Sequence, residues 1–568
     1  MAAPARTVEL RVLEGPNLYF PRPAVKLTLD VPGWVGADAS KVAAVASAIG
    51  LRGIEPGVAG SERRLRATAR IAVAVTKRIA AAVGTRRLAI RGRTDARSGV
   101  VVVAFPWRRR GAAEALARAV ADAMAVLLRR SAPRVLAEAA RAVEAAEPGE
   151  EPSVPEPEVP VVQVTGTNGK TTTTRLLAHL VTTAGRRVAF SSTDGVYRDG
   201  RLVKKGDYSG FGGAATALAQ RPDVAVLETA RGGILLRGIG VQHNDVAVVT
   251  NVSADHLDLH GITTVDQLAE VKATVTRITR PDGWDVLNAD DPRVLAMRRG
   301  ATGRSWLFSL DPRHPALRDA LAEGGRAMTV LDGTIVWIEG STVHPLVALE
   351  RVPMTLAGLS RMYTQNALAA AAAGLGVGLP PRSVAKGLRT FVLDPTKNPG
   401  RTNLFWLDRR VIVLDYAHNE AGMDGLVEIL RGLRRPRSEI WLAIGTAGDR
   451  TDAILHGFAV RAALGVDHLA IAEQLKYLRG RSREDVIARL REGAARAGKH
   501  DIPVYPDEMR ALRGMLKTSS PGDVVGITAL AQRAQAFRWL RSKDARMPGP
   551  AEVRRLVRAV RDADRTPA

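Results

Sequence analysis

The front of the chain alternates runs of apolar residues with amphipathic stretches. Residues 8–13, 24–29 and 100–105 show the alternation or apolar density of β-strands. Residues 62–82 and 112–130 repeat apolar positions at helical spacing, which predicts two long helices. Strands interleaved with helices in this way predict a small α/β or α+β domain.

A segment rich in proline and glutamate follows, at residues 144–160. Such a composition cannot bury an apolar core, so the segment is predicted to be an extended, mobile linker. The chain is therefore expected to consist of a front domain, a linker, a central domain and a last domain. Their predicted bounds are residues 1–136, 137–160, 161–393 and 394–568.

Beyond the linker, short apolar runs alternate with helical patterns, as in open α/β sheets. Residues 329–338 and 343–356 instead have the pattern of antiparallel strands, with Asp332-Gly333 as a hairpin turn. The predicted buried strands are residues 224–227, 246–250, 286–287, 411–414, 440–444 and 524–527. The prediction is a multidomain α/β protein with a parallel central sheet and a Rossmann-like last domain. No internal repeat is evident.

Composition limits the class of protein. At 568 residues the chain is too long for one core, and its 46% hydrophobic content is ordinary for a globular protein. The absence of Cys excludes disulfides and thiolate metal sites. No apolar run reaches about 18 residues, so neither a membrane span nor a membrane partner is expected. Residues 1–9 lack the apolar core of a signal peptide, and a cytoplasmic location is the resulting expectation.

The formal charge of +24 comes mostly from arginine and would attract polyanions. The arginines are scattered over many predicted helices among abundant Ala, Gly and Val, which favours a compositional bias of GC-rich coding sequence instead. The densest run, residues 108–110, has one aromatic neighbour, Trp107, and aromatic residues are only 4% of the chain. Single-strand binding needs several aromatics beside a basic groove, so nucleic acid is not an expected partner.

The strongest chemical signal lies in residues 161–174, where an apolar strand runs into a Gly-rich turn and then a helix. Backbone N–H groups of such a turn point at a phosphate, Lys170 can reach the terminal phosphates, and the Thr171 hydroxyl can ligate Mg²⁺. Val164 stands where the full Walker pattern has a Gly. The alternative, a Gly-rich turn with an incidental Lys, is disfavoured by the flanking strand and helix. The predicted nucleotide-binding residues of the loop are Gly166, Thr167, Asn168, Gly169, Lys170, Thr171 and Thr172.

Two further side chains follow predicted strands, at the edge where open α/β sheets bind ligands. Glu228 ends one strand, and His256 comes shortly after another. Together with Thr171 they could converge on Mg²⁺ near the phosphates of ATP. Taken singly, a Glu at a strand end is usually solvated and a lone His is usually structural, so the hypothesis rests on their joint placement.

Five more residues are candidates, and the first three have plain structural alternatives. Lys272 lies on a predicted helix over residues 265–278, where a solvent-facing lysine is common. Asn288 and Asp291 follow a strand and could meet the base and ribose, although Asp pairs also cap turns. Arg401 precedes a strand of the last domain and Asp415 ends one, so these two could close over ATP bound to the central domain.

The order of these motifs resembles the Mur ligase family. The resemblance rests on the Gly-Thr-Asn-Gly-Lys-Thr loop, Asn251-Val-Ser-Ala-Asp-His256, Leu287-Asn-Ala-Asp-Asp291, Pro399-Gly-Arg401, Asp415-Tyr-Ala-His-Asn419 and Gly448-Asp-Arg450. More narrowly, Ser192-Thr-Asp-Gly195, Glu228-Thr-Ala-Arg-Gly-Gly-Ile-Leu235 and Gly387-Leu-Arg-Thr-Phe391 are similar to cyanophycin synthetases. That likeness covers residues 161–490, and residues 11–17 resemble the start of the N-terminal domain of the same enzymes.

The resemblance implies an ATP-dependent amide ligase that activates a carboxylate as an acyl phosphate, which an amine then attacks. It implies catalytic roles for Lys170, His256 and Arg401, and for Lys272, which is often carbamylated in family members. It also implies that an amino acid, typically arginine, is joined to an aspartate side chain by an isopeptide bond. The substrate-contacting positions that it suggests are Thr193, Asp194, Arg231, His418 and Asn419.

One departure from the resemblance concerns the linker. Cyanophycin synthetases similar to this chain carry an ATP-grasp domain, which extends the aspartate backbone, where residues 144–160 stand here. We therefore expect side-chain modification without backbone extension, and a separately encoded ATP-grasp protein is a natural partner. The expected substrates are an amino acid and an acidic or zwitterionic peptide or polymer, and a homo-oligomer is expected.

Two other function classes stay open at this point. A Mur-type ligase could act on a cell-wall precursor or another acid, such as a folate, although the front domain and the narrower motifs argue against it. A non-catalytic relative could instead bind polyanions or regulate, but the set of Lys170, Thr171, Glu228, His256 and Lys272 argues for catalysis.

Overall fold

The computed structural model describes residues 4–95, 99–255, 257 and 259–565. They form two compact units. The first comprises Met1–Glu158, Ser209–Ala215 and Ala230–His243, and the second comprises Val159–Tyr208, Thr216–Thr229 and Asn244–Ala568. No helix in the described ranges is long and apolar enough to cross a bilayer.

The first unit is built on an antiparallel four-stranded sheet. In spatial order its strands are Arg6–Leu13, Ala24–Asp30, Val100–Pro106 and Arg91–Asp95. Its helices are Pro32–Gly36, Ala39–Ala48, Glu62–Ala82, Arg110–Val126, Ala132–Glu144 and Arg231–Leu236. The Ser61 side chain caps the long helix Glu62–Ala82, whose buried face includes Ile71, Val75 and Ile79. The predicted strands and long helices of this region are confirmed, and the domain is of the α+β kind.

The predicted linker differs from its expectation in two ways. Its first residues belong to the helix Ala132–Glu144, because Ala and Val repeat there at helical spacing. The rest is irregular but is hydrogen-bonded to the front domain. The backbone amide of Ala112 donates to the Pro148 carbonyl at 3.1 Å, and the backbone amide of Arg110 donates to the Glu150 carbonyl at 2.9 Å. The composition did not indicate these backbone contacts. The domain bounds at residues 136, 160 and 393 stay predictions.

The second unit contains an eleven-stranded sheet, parallel in its interior and antiparallel at both ends. In spatial order the strands are Thr342–Ala348, Thr334–Glu339, Arg326–Leu331, Arg304–Phe308, Thr279–Asn288, Asn244–Val249, Val161–Thr165, Val224–Glu228, Val188–Ser192, Gly195–Arg198 and Arg201–Lys205. The strands Val161–Thr165 and Val224–Glu228 are fully buried, which is why they are almost entirely apolar.

A six-stranded sheet lies C-terminal to it in sequence and is parallel except for its first pair. Its strands are, in spatial order, Asn403–Leu407, Arg410–Asp415, Val524–Thr528, Ile440–Ile444, His468–Ala472 and Val504–Tyr505. The α-helices of the second half of the chain are Pro292–Ala296, Pro315–Ala322, Arg361–Gly376, Pro381–Thr390, Glu420–Leu433, Asp452–Gly465, Arg483–Arg496, Glu508–Thr518, Arg533–Arg541 and Pro550–Arg565. The earlier helices Lys170–Thr183, Phe211–Leu218 and Val265–Lys272 complete the set, with short 3₁₀ turns at Thr276–Ile278, Met297–Gly300, Leu349–Arg351, Pro353–Thr355 and Leu475–Tyr477.

The core of the second unit positions the phosphate-loop helix. Leu176, Leu177 and Leu180 of the helix Lys170–Thr183 are fully buried. The helix Arg361–Gly376 packs against it with a run of alanines, whose small side chains allow close approach. Each buried leucine contributes about 1.5–3 kcal/mol. This packing fixes the start of the helix, where the loop ends.

The predicted multidomain α/β fold is confirmed, with two corrections to element length. The strand predicted at residues 343–356 ends at Ala348, because Pro353 and the preceding turn residues form 3₁₀ turns. The helix predicted at residues 265–278 ends at Lys272 and is followed by the turn Thr276–Ile278. The hairpin at Asp332-Gly333 is confirmed, with φ of 47° and 71° at its two residues.

Candidate functional site

Two glycines shape the predicted phosphate loop. Gly166 has φ of 149° and Gly169 has φ of 86°, both unfavourable for other residues. A Cβ on Gly166 would lie 1.9 Å from the Thr250 Oγ1, and one on Gly169 would lie 2.3 Å from the Asn366 Oδ1. The loop is therefore closely packed and admits only glycine at these points. No side chain caps the helix that begins after Gly169, so its first N–H groups are available to an anion.

The loop is also hydrogen-bonded to the segment that follows the neighbouring strand Asn244–Val249. The Thr167 amide donates to the Asn251 carbonyl at 2.9 Å, and the Asn168 amide donates to the Asn251 Oδ1 at 2.8 Å. The Thr250 hydroxyl donates to the Asn168 carbonyl at 2.6 Å. Thr250 and Asn251 thus fix the loop's conformation.

Lys170 and Thr171 occupy the first turn of the helix. The Lys170 Nζ donates to the Thr167 carbonyl at 2.9 Å, so its ammonium folds back over the loop. The Thr171 hydroxyl donates to the Glu228 Oε1 at 3.1 Å and lies 3.3 Å from the Thr193 Oγ1. The predicted metal ligands Thr171 and Glu228 are therefore neighbours, together with the predicted substrate contact Thr193.

Glu228 is a buried carboxylate with few donors. It is 1% exposed and accepts bonds from the Thr171 hydroxyl and, at 3.4 Å, from the Thr193 amide. Burial raises the pKa of Glu228, and the nearby cations of Lys170 and Arg401 offset only part of that rise. A hydroxyl beside an underbonded carboxylate provides the hard oxygen donors that Mg²⁺ prefers. The residues present therefore fit a divalent cation.

The predicted third metal ligand, His256, lies outside the described residues. Across the ranges that the structure does describe, no group of three or more His, Asp or Glu side chains could hold a metal ion. The metal roles of Thr171, Glu228 and His256 stay predictions.

Arg401 reaches this cluster from the C-terminal part of the chain. Its Nη2 donates to the Thr171 Oγ1 at 3.1 Å, and its Nη1 lies 3.6 Å from the Asp194 Oδ2. Asp194 also pairs with Arg175 at 3.1 Å and Arg533 at 3.2 Å. Burial alone would raise the pKa of Asp194, but the three guanidinium groups bring it below its ordinary value. Asp194 is thus a charged anchor for three arginines.

Other contacts join the phosphate loop to the C-terminal sheet. The side-chain amides of Asn168 and Asn419 bond reciprocally, both at 3.1 Å. Asn419 also caps the helix Glu420–Leu433 through the Gly422 amide, and the Asn398 amide donates to the Thr172 hydroxyl at 3.2 Å. These contacts place the loop against residues of the last predicted domain.

Asp255 lies beside an arginine and a histidine of the last predicted domain. Arg450 is buried with its Nη2 3.4 Å from the Asp255 Oδ1, and the His418 Nε2 lies 3.5 Å from the Asp255 Oδ2. His418 was predicted as a substrate contact, and in the structure it faces this carboxylate.

Three residues predicted to contact the nucleotide have side chains that are hydrogen-bonded within the protein. Asp415 accepts from the amide and hydroxyl of Thr402, at 2.8 and 2.7 Å, and from the Ala417 amide at 2.7 Å. Asp291 accepts from the Val252 amide at 2.6 Å and caps the following helix. Asn288 donates to the Thr250 carbonyl at 2.8 Å. Their positions support the loop and Arg401, and their nucleotide contacts stay predictions.

The alternative interpretation of Lys272 as a helix lysine that faces solvent is wrong. Lys272 is 3% exposed, and its Nζ donates to the Gly166 carbonyl at 2.6 Å. Arg231 belongs to the first compact unit, where it begins the helix Arg231–Leu236.

Sequence reasoning missed several residues that the structure brings to the cluster. Arg175 and Arg533 bond Asp194, Arg450 pairs with Asp255, and Asn366 packs on Gly169. Asp255 and Arg450 sit inside quoted motifs and were detectable there. Arg175, Asn366 and Arg533 lie on helices with no local motif, so only the tertiary fold reveals them.

Comparison with known proteins adds the family. Residues 164–374 match the Mur ligase middle domain, and residues 400–529 match the Mur ligase, glutamate ligase domain. A cyanophycin synthetase from Crocosphaera subtropica is 38% identical over 381 residues, covering 66% of this chain and 43% of that protein. The chain thus spans less than half the length of this relative.

Solved structures support the same fold. E. coli FolC in complex with DHPP and ADP has a TM-score of 0.52 at 20% identity, covering 69% of this chain and 91% of that one. A bifunctional folylpolyglutamate synthase/dihydrofolate synthase from Yersinia pestis, complexed with AMPPNP and Mn, has a TM-score of 0.50 at 19% identity, covering 68% and 90%. Because the chain matches both family domains one after the other, it belongs to the Mur ligase family.

Proposed function

We propose that this protein is an ATP-dependent acid–amino-acid ligase. The observation that carries the proposal is the position of the Thr171 hydroxyl, which bonds Glu228 on one side and Arg401 on the other. A phosphate loop, a buried carboxylate and an arginine from the C-terminal domain thus surround one small volume. Phosphoryl transfer depends mainly on positioning and charge neutralisation, which these groups can supply.

The proposed reaction has two steps. A carboxylate oxygen of the acceptor attacks the γ-phosphorus of ATP, which breaks the bond to the β-phosphate oxygen and gives an acyl phosphate and ADP. The amino group of the second substrate then attacks the acyl carbon, and inorganic phosphate leaves with the original carboxylate oxygen. An unactivated carboxylate is a poor electrophile at neutral pH, so the first step makes the second possible.

The chain's own residues have distinct roles in this scheme. Lys170 and Arg401 neutralise charge on the transferred group, and the loop's N–H groups orient the phosphates. Glu228 and Thr171, with His256, would hold Mg²⁺, which supplies further charge neutralisation. The Mn and AMPPNP in the Yersinia pestis structure support a divalent metal and ATP here.

We also propose that Lys272 is carbamylated in the active enzyme. The support is its burial beside the loop, where its Nζ lies 2.6 Å from the Gly166 carbonyl. Carbamylation would replace a buried cation by a carboxylate-like group. Activity should then fall when bicarbonate is removed, and a Lys272→Ala variant should be partly rescued by a short carboxylate. A native mass that never shows the added CO₂ in fully active protein would contradict this.

For substrates, we propose an aspartate-containing peptide or polymer as acceptor and an amino acid such as arginine as amine donor. The support is the 38% identity to a cyanophycin synthetase together with Thr193 and Asp194 in the motif shared with those enzymes. Since the matched region covers only 43% of that relative, a separate ATP-grasp protein would supply backbone extension. Asp194 already binds three arginines, so substrate guanidinium recognition falls to other residues.

The test is ADP release and product mass with ATP, Mg²⁺, arginine and a short aspartyl primer. We expect arginine additions without a gain of aspartate. Turnover confined to cell-wall precursors or folates would assign the protein to another branch of the family. No ADP release with any acid and amine would contradict the ligase proposal.

A further inference from the structure

The outermost strand beside the site, Arg201–Lys205, is an unprotected sheet edge. All five of its residues are exposed, including Leu202 at 49% and Val203 at 46%. Among the strands of the described residues it pairs with Gly195–Arg198 on one side, and its other side has no strand partner. The opposite edge of the same sheet, Thr342–Ala348, contains Pro345, which cannot donate to an added strand. The two edges therefore differ in their capacity to accept another strand.

The edge strand is also basic. Its sequence is Arg-Leu-Val-Lys-Lys, with no acidic residue. Lys204 lies over the Tyr208 ring, with its Nζ 5.3 Å from the ring centroid. Among the residues that the structure describes, Arg201 and Lys205 make no ion pair. Their charges are thus available to a ligand of opposite sign.

The C-terminal end of this strand adjoins the candidate site. Lys205 pairs with Gly195, and the next residue, Gly206, donates its amide to the Asp194 carbonyl at 3.5 Å. The Tyr208 amide donates to the Ser192 carbonyl at 3.0 Å. Between these two anchors lies Thr193, whose hydroxyl is 3.3 Å from that of Thr171. A chain lying along the edge strand would therefore lead to the phosphate loop.

We propose that the edge strand Arg201–Lys205 binds the acidic acceptor by strand addition. The occupant is an extended peptide backbone bearing carboxylates, which pairs its amides with the free edge and its side chains with Arg201, Lys204 and Lys205. Backbone hydrogen bonds supply affinity in this mode, and side-chain charges supply selectivity. The inference rests on the proposed ligase function and specifies how its acceptor is held. Distal residues of the acceptor bind the strand while a proximal carboxylate reaches the site.

The test compares two double charge reversals. Arg201→Glu with Lys205→Glu alters the edge strand. Arg382→Glu with Lys386→Glu makes the same residue changes at two exposed positions of the helix Pro381–Thr390. For an oligo-aspartate acceptor we expect KM to rise about tenfold in the first variant and stay unchanged in the second, with kcat retained in both. The KM for ATP should not change. Equal KM values in the two variants would overturn the proposal.

A second measurement separates strand addition from charge attraction alone. An oligo-aspartate with N-methyl groups on alternate backbone amides keeps its charge but loses donors, and it should bind at least several-fold more weakly. Equal binding of methylated and unmethylated acceptors would contradict strand pairing. Binding is read by fluorescence anisotropy of labelled acceptor without ATP. If wild-type protein binds this acceptor but never releases ADP, the ligase proposal fails while the edge-strand assignment stands.

Discussion

Glu228 and Asp415 are buried carboxylates at the ends of parallel strands in two different sheets, but they differ in what surrounds them. Burial raises the pKa of each. Asp415 accepts three hydrogen bonds of 2.7–2.8 Å from Thr402 and Ala417, whereas Glu228 has one hydroxyl donor at 3.1 Å and one distant amide. Asp415 therefore has its hydrogen-bonding capacity filled, and Glu228 retains capacity for a cation. We therefore predict that the same residue class at the same topological position supports structure in one sheet and chemistry in the other.

The largest effect on activity is expected for a substitution of Lys170, which lies near Glu228. A Lys170→Ala variant should lose about 10²–10³ in kcat, because the ammonium stabilises charge that develops on the phosphoryl group. The melting temperature should change little, since the Lys170 ammonium donates its hydrogen bond to the Thr167 carbonyl of its own loop. Lys386→Ala, on an exposed helix position, is the matched control. ADP release at the wild-type rate from the Lys170 variant would refute the phosphate-loop assignment.

A paired substitution tests the comparison directly. Glu228→Gln should lower kcat by about 10² or more, because an amide binds Mg²⁺ poorly. Without nucleotide and Mg²⁺ its melting temperature should stay or rise at pH 7–8, since the raised pKa means that the buried charge opposes folding there.

Asp415→Asn should instead lower the melting temperature, because the loss of its hydrogen bonds outweighs the removal of a buried charge. The new NH₂ group faces the donors of Thr402 or Ala417, and an unsatisfied buried pair costs about 1–3 kcal/mol. Thermal scans of both variants with and without Mg²⁺-ATP measure this. If both variants respond alike in stability, the distinction between the two carboxylates is wrong.

A smaller effect on activity is expected at Asn419, which follows Asp415 in sequence and contacts the phosphate loop. Asn419→Ser keeps an N-cap for the helix Glu420–Leu433 but cannot reach Asn168. Loss of this reciprocal amide contact should change kcat/KM for ATP by roughly twofold to tenfold, with little change in melting temperature. An unchanged kcat/KM would mean that closure of the two domains does not depend on this contact.

The smallest effect on activity is expected at a third buried carboxylate, Asp285, whose hydrogen-bond partners belong to no predicted site motif. Burial raises the pKa of Asp285 from 3.8 to about 7, and its partners are the Thr279 hydroxyl and the Gly303 amide. The folded protein therefore binds this proton more tightly than the unfolded chain, so stability falls as pH rises from 3.8 to about 7 and is then constant. Asp285→Asn should flatten that fall in melting temperature and leave kcat unchanged. A wild-type pH profile in the variant would contradict the assignment.

Local sequence was sufficient for much of the fold and for the loop. The helix Glu62–Ala82 has the bounds that its pattern predicted, and the Asp332-Gly333 hairpin follows from turn chemistry alone. Residues 166–171 were recognisable because a phosphate loop needs glycines and a lysine at fixed spacing. Features set by tertiary contacts were not predictable.

Three such features illustrate the limit. The docking of the acidic linker on the start of the helix Arg110–Val126 depends on backbone hydrogen bonds that composition does not encode. Two of the arginines around Asp194, Arg175 and Arg533, come from helices far apart in sequence. Whether a carboxylate such as Asp415 is free or saturated depends on neighbouring backbone amides, which no side-chain pattern reports.

The most direct test of the central claim follows an oxygen atom. The acceptor is an aspartyl peptide whose side-chain carboxylates carry ¹⁸O, incubated with the protein, ATP, Mg²⁺ and arginine, and the released phosphate is analysed by mass spectrometry. An acyl phosphate transfers one acceptor oxygen to phosphate for each amide bond formed, so we predict phosphate carrying a single ¹⁸O in step with product. Amide formation accompanied by unlabelled phosphate would contradict the account.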